Sequence, residues 1–137
     1  MAEMDDFNAK IIEEFRANGG VVGGPFGGAT LVLLHTTGAR SGAERVNPVV
    51  ARVDGDDLYV FASKAGAPTD PDWFHNLVAN PSVTVELGSD SFGATAVVLE
   101  GEARDEVYAA HAAVYPNFAE YQEQTDRVIP VVRLDRA

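Results

Sequence analysis

Arg40, Ser41, Arg45, Ser63 and Lys64 are the residues whose types and spacing suggest chemistry. They occur in two short stretches, Gly38-Ala39-Arg40-Ser41-Gly42 leading to Arg45, and Ala62-Ser63-Lys64-Ala65-Gly66. An arginine fork grips phosphate or carboxylate oxygens in pairs, whereas lysine acts as a point charge. Three cations and two hydroxyls on turns therefore suggest an anion clamp, since loops on a rigid sheet commonly carry binding groups. A solvated hairpin that happens to carry basic residues fits the spacing equally well.

The rest of the composition frames that reading. The formal net charge is −11, from 10 basic and 21 acidic residues. Such a balance repels nucleic acid and anionic lipid at long range. No acid occurs between Gly19 and Gly42, and Arg40 is the only base there. An acidic protein that holds an anionic ligand needs such an acid-poor segment. With no cysteine, disulfides, thiolate zinc sites and a cysteine nucleophile are excluded. His35, His75 and His111 are scattered without a H-E-x-x-H pattern, so no metal site is expected. No G-x-S-x-G is present, and the glycine run 19–28 lacks a G-x-G-x-x-G register. An acidic N-terminus and no apolar run of about 18 residues lead to the expectation of a cytoplasmic protein without a membrane span.

The elements that must position the clamp can be read in order. Met4, Phe7, Ile11 and Phe15 form the stripe of an amphipathic helix that stops at Asn18-Gly19. The glycine run then lets backbone pass close to a ligand or act as an entrance. Leu31–Leu34 begins a buried strand, Arg45–Val53 a second and Tyr59–Phe61 a third, turning at Gly38–Gly42 and Asp54-Gly55-Asp56. Asp70 as N-cap and Pro71 at the first position start a helix ending at Asn80-Pro81, with Trp73/Leu77 and Phe74/Val78 toward the core. Strands are expected at Val83–Leu87, Ala94–Glu100 and Val128–Leu134. A helix with the stripe Ala103, Val107, Ala110, Val114 precedes Pro116, and Asn117…Glu120 has capping-box spacing. Tyr115, Phe118 and Tyr121 recur at three-residue steps. Hairpins with interspersed helices and no βαβ alternation imply one mostly antiparallel α+β barrel domain at 29–137, preceded by the helix and glycine segment 1–28.

Several segments resemble the deazaflavin-dependent nitroreductase family. They are Thr36–Gly42 with Arg45–Pro48, Ala62–Ala67, Pro71–Pro81, Tyr115–Gln122 and Thr125–Pro130. The resemblance implies a split β-barrel related to the FMN-binding pyridoxamine oxidases, with peripheral helices. It also implies hydride transfer from reduced coenzyme F420 to a small-molecule acceptor: a quinone, an enone or a nitro compound. The coenzyme's phosphodiester and oligoglutamate tail give the clamp a purpose. By resemblance, Arg40, Arg45 and Lys64 supply cations, and Ser41, Asn47, Pro48, Ser63, Ala65, Trp73 and Asn76 border the coenzyme. Tyr115, Phe118 and Tyr121 occupy the family's catalytic positions.

Three departures stand out. Ala39 replaces a second basic residue, Val50 a pocket tyrosine, and Phe118 the tyrosine implicated in reduction. A phenyl ring cannot donate a proton, so a coenzyme carrier without turnover is one alternative. FMN in the same barrel is another. The sequence leaves the oligomeric state open.

Overall fold

The computed structural model describes residues 2–20, 30–39, 42–55, 57–63 and 69–136, with side chains from residue 9 onward. Arg40, Ser41, Lys64 and Ala65 lie outside the described residues, as does the glycine run from 21 to 29. The strands are β1 (Leu31–Thr37), β2 (Glu44–Asp54), β3 (Asp57–Phe61), β4 (Ser82–Leu87), β5 (Asp90–Leu99) and β6 (Val131–Arg136). They close a barrel in the order β1-β2-β3-β6-β5-β4. Every pairing is antiparallel. The helices are α1 (Ala2–Ala17), α2 (Asp72–Ala79), α3 (Gly101–Val114) and α4 (Asn117–Glu123). The antiparallel α+β barrel expected from the hairpins is present.

Period-two alternation sorts each strand between two cores. Val32 and Leu34 face into the barrel with Val49, Ala51, Val60, Val85 and Val132. Leu31 and Leu33 face outward and are covered by Ile11 and Phe15 of α1. With both faces buried, β1 reads as an unbroken apolar run rather than an alternating one. On another outer face, Tyr59 and Phe61 of β3 pack with Tyr108 of α3 and Phe118 of α4.

Several local expectations are corrected. The first strand pair extends to Thr37 and Glu44, β5 begins at Asp90, and β6 runs from Val131 to Arg136 rather than from Val128 to Leu134. Pro130 stays just ahead of β6, where its carbonyl accepts from Ala62 N at 3.0 Å. Pro71, not Asp70, is the N-cap of α2. The Asp70 carboxylate is instead taken by Arg127 Nη1 at 2.7 Å, a bond in which both partners are charged. Val78 is 55% exposed, because the buried face of this short helix is Trp73, Asn76 and Leu77.

On α3 the buried face is Arg104, Tyr108 and His111 rather than the alanine–valine stripe, and Val114 is exposed. Polar side chains fill this interface, and two of the three have hydrogen-bond partners. Arg104 Nε donates to Ile129 O at 3.0 Å, its Nη2 donates to Gln122 Oε1 at 2.6 Å, and Tyr108 Oη donates to Phe118 O. A hydrophobicity stripe cannot register such a face. The capping box does not form: Pro116 is the N-cap of α4, and Asn117 Nδ2 turns to Tyr121 Oη at 3.1 Å.

Where α1 leaves the barrel, Gly20 (φ 97°) passes so close to Gly88 that a Cβ would stand 2.7 Å from the Gly88 Cα. This glycine accommodates the protein's own backbone. Glycine is required here for close approach as well as for φ.

Candidate functional site

Among the described residues, one rim of the barrel gathers Arg45, Asn47, Ser63, Trp73 and Asn76. Thr37 pairs with Glu44, and Val131 pairs with both Phe61 and Leu99, so these residues mark a single end. The described residues of the 38–43 turn and of the β3–α2 connection, with α2 and the 124–130 segment, belong to this end. Helix α2 closes it: Trp73 (8% exposed) and Leu77 pack among the barrel-core residues. The tryptophan is thus a plug in the barrel mouth.

Arg45, Asn47, Val49 and Ala51 share one face of β2. Val49 and Ala51 are buried in the barrel, Asn47 is half-buried, and Arg45 is exposed at the rim, opposite Thr36. Arg45 forms no ion pair among the described residues, whereas Arg16, Arg104, Arg127 and Arg133 are each paired with a carboxylate. An exposed, unpaired guanidinium at a glycine-bounded turn suits an external anion. Pro48, half-buried, points to the opposite face of β2 with Val46 and Val50.

Asn76 is buried, and both ends of its amide are engaged. Its Oδ1 accepts from Ala39 N at 3.0 Å, and its Nδ2 donates to Thr36 Oγ1 at 3.2 Å. Two backbone bonds, Gly38 N to Ala43 O and Gly42 N to Gly38 O, shape the same turn. Gly42 (φ 70°) takes the left-handed conformation there. Asn76 therefore fixes the turn on which Arg40 and Ser41 occur in sequence.

Ser63 is half-buried, and its carbonyl accepts from Arg127 Nη2 at 2.9 Å. Arg127 Nη1 donates to Ala62 O at 3.1 Å as well as to Asp70. Gln122 supports the arginine from behind: its Nε2 donates to Arg127 O at 2.7 Å, and its Oε1 also accepts from Ile129 N at 3.0 Å. Nothing in the sequence singles out Arg104, Gln122 or Arg127 as functional. Gln122 and Arg127 fall within the segments Tyr115–Gln122 and Thr125–Pro130 that carry the family resemblance but have no motif chemistry of their own, and Arg104 falls within none of them.

The three aromatic positions come together on the other outer face of the barrel. Phe118 is 5% exposed, with its ring centroid 4.5 Å from His111, 5.6 Å from Phe61 and 5.3 Å from Tyr121. Tyr115 and Tyr121 are half-buried at the margin of this cluster. Val50 of β2 packs both against it and against the α1 cluster. The outer face of β2, carrying Val46, Pro48 and Val50, thus lies between α1 and the tyrosines. His111 is fully buried, neither ring nitrogen has a hydrogen-bond partner among the described residues, and burial lowers its pKa to about 4.

The family model for F420H(2)-dependent quinone reductases matches residues 9–135. The chain belongs to that family. An F420H(2)-dependent quinone reductase of Mycobacterium tuberculosis is 39% identical over 129 residues, 89% of this chain and 85% of the relative. The solved structure of an F420-H2 dependent reductase is 40% identical with a TM-score of 0.70, covering 77% of this chain and 93% of that one. A Listeria innocua protein described as a pyridoxamine 5′-phosphate oxidase shares the fold at 14% identity and a TM-score of 0.56, covering 96% of this chain and 91% of its own. The split-barrel, deazaflavin-dependent oxidoreductase implied by the sequence segments is the class found. Among the described residues no helix is long and apolar enough to cross a membrane.

Proposed function

We propose that this chain reduces a quinone with hydride from reduced F420, binding the coenzyme's anionic tail at the rim formed by the 38–43 turn and the β3–α2 connection. The observation that carries this reading is Arg45, exposed and unpaired beside a turn fixed by Asn76. Arg40, Lys64, Ser41, Ser63, Asn47 and Ala65 complete the proposed polar and cationic lining. Reduced F420 supplies the hydride when bound. Trp73 holds the barrel mouth shut against water, and Pro48 and Val50 floor the dry surface between α1 and the tyrosines.

Titrating the protein separately with F420 and FMN, followed by fluorescence, tests the coenzyme. F420 binding should weaken as salt rises, and Arg45→Ala should weaken it about tenfold, as expected for one charge-assisted contact. Tight FMN binding with no response to F420 would reject the reading. Turnover of reduced F420 with menadione then separates a reductase from a carrier.

For the proton, we assign Tyr121. Its hydroxyl oxygen accepts from Asn117 Nδ2 at 3.1 Å, which leaves its own hydrogen free to be donated. Tyr115 stands at the same margin as the second candidate, and Phe118 between them supplies shape and dryness. General acid catalysis typically contributes 10²–10⁴-fold, but water can substitute at a half-exposed site. Tyr121→Phe should therefore lower kcat about tenfold while leaving F420 affinity unchanged. An unchanged kcat would transfer the role to Tyr115 or water.

A further inference from the structure

We propose that Arg127 is a positioning residue for coenzyme binding, a strap that fixes Ser63 and both described ends of the β3–α2 connection. The proposal rests on the reading that F420 binds at this rim. One guanidinium reaches three oxygens of that connection: Ala62 O at 3.1 Å, Ser63 O at 2.9 Å and Asp70 Oδ1 at 2.7 Å. Its side chain is 15% exposed and its Asp70 partner 26%, so the pair is partly withdrawn from solvent screening. Asp70 neutralises its charge. Its carbonyl contacts consume the planar fork that lysine lacks. Gln122 holds the backbone of Arg127, and Arg104 holds Gln122, so the strap is anchored in α3 and α4. Backbone that must offer Ser63 to a ligand is thereby set before the ligand arrives, which lowers the ordering cost of binding.

The test compares wild type, Arg127→Lys, Arg127→Ala and Asp70→Asn by F420 fluorescence titration, melting temperature and steady-state kinetics with menadione. Wild type must bind F420; if it does not, the coenzyme reading itself fails and the strap with it. Given that binding, Arg127→Lys and Arg127→Ala should each weaken F420 about tenfold, the loss expected for hydrogen bonds to a charged group. KM for reduced F420 should rise with KM for menadione unchanged, and the salt dependence of F420 binding should match wild type. Asp70→Asn removes the charge from one contact, leaving a weaker neutral acceptor, and keeps the two carbonyl bonds, so it should fold and weaken F420 about threefold.

Full rescue by lysine, or a shallower salt dependence, would mean that Arg127 acts as a charge on the ligand, and would overturn the strap. Equal shifts in both Michaelis constants that track the melting temperature would make the role merely structural. Should neither Arg127 variant fold, Asp70→Asn decides: unchanged F420 affinity in that variant overturns the proposal.

Discussion

Replacing Phe15 by alanine is expected to cost about 3–5 kcal/mol of stability, the usual range for a buried phenylalanine. Phe15 is 1% exposed and, with Ile11, covers Leu31 and Leu33, which are 2% and 0% exposed. A polar attachment of α1 is Arg16, whose Nε and Nη2 meet Glu86 Oε1 and Oε2 at 3.1 and 2.7 Å. That pair is half-exposed on the arginine side, and exposed ion pairs contribute roughly 0–1 kcal/mol. The apolar contact therefore dominates, and α1 behaves as a wall of the domain rather than a detachable lid. Urea unfolding of Phe15→Ala should show a lower midpoint with an unchanged slope. A loss under 1 kcal/mol would mean that α1 opens freely. Because Val46 and Val50 line the same wall, an open α1 would also change the Michaelis constant for the acceptor.

Much of the fold was legible because its signals are local. The apolar run at Leu31–Leu34 marked a strand buried on both faces, and Gly38–Gly42 marked its turn. Trp73/Leu77 gave the buried face of α2, and Ile11/Phe15 that of α1. What stayed hidden depends on partners distant in sequence. Asp70 looks like a cap until Arg127, 57 residues later, takes its carboxylate. Arg104 looks like surface on α3 until Ile129 O and Gln122 Oε1 satisfy it in the interior. The three-residue aromatic rhythm correctly brought Tyr115, Phe118 and Tyr121 to one cluster, but spacing cannot say which ring is innermost. His111, one turn upstream, closes over Phe118 and leaves the two hydroxyl-bearing rings at the margin.

The site follows the same division. Arg45 was legible as a strand-end residue beside the Gly38–Gly42 turn, and Asn47 only through the family resemblance; the structure puts both on one face of β2. The arginine strap was not, because two of its three partners are backbone carbonyls, which no side-chain motif reveals. The two strongest fixtures of the rim, Asn76 and Arg127, each tie a helix or tail segment to a connection between strands. A rim held from outside the sheet keeps its binding groups in place without requiring rigidity in the turns themselves.

Lowering the pH from 7 to 4 is expected to remove about 3 kcal/mol of stability through His111 alone. Its imidazole is fully buried, stacked on Phe61 at 4.2 Å, and burial, assisted by the nearby Arg52 charge, lowers its pKa from 6.5 to about 4. The folded chain therefore binds a proton less readily than the unfolded chain across that interval. The contribution is complete above pH 6.5, falls as pH drops, and is lost as pH passes through about 4. Glu86 acts in a different window: hydrogen bonds from Arg16, supported by His35, hold its carboxyl down at about 2. Its share persists to lower pH and is lost from 4.5 toward 2.

His111→Phe separates the two groups. Phenylalanine preserves the stack on Phe61 and removes two buried nitrogens that lack partners, so at pH 7 the variant should be as stable as wild type or more so. Between pH 6.5 and 4.5 its stability should stay nearly flat relative to wild type, with His35 and His75 still present in both proteins. Urea midpoints at half-unit pH steps measure the difference directly. Parallel decline of the two proteins over that range would show that His111 gains a partner or solvent on protonation without opening the cluster. A divergence would show that the folded cluster beneath Tyr115 and Tyr121 keeps His111 neutral, so that acid lowers stability by protonating the imidazole of the unfolded chain.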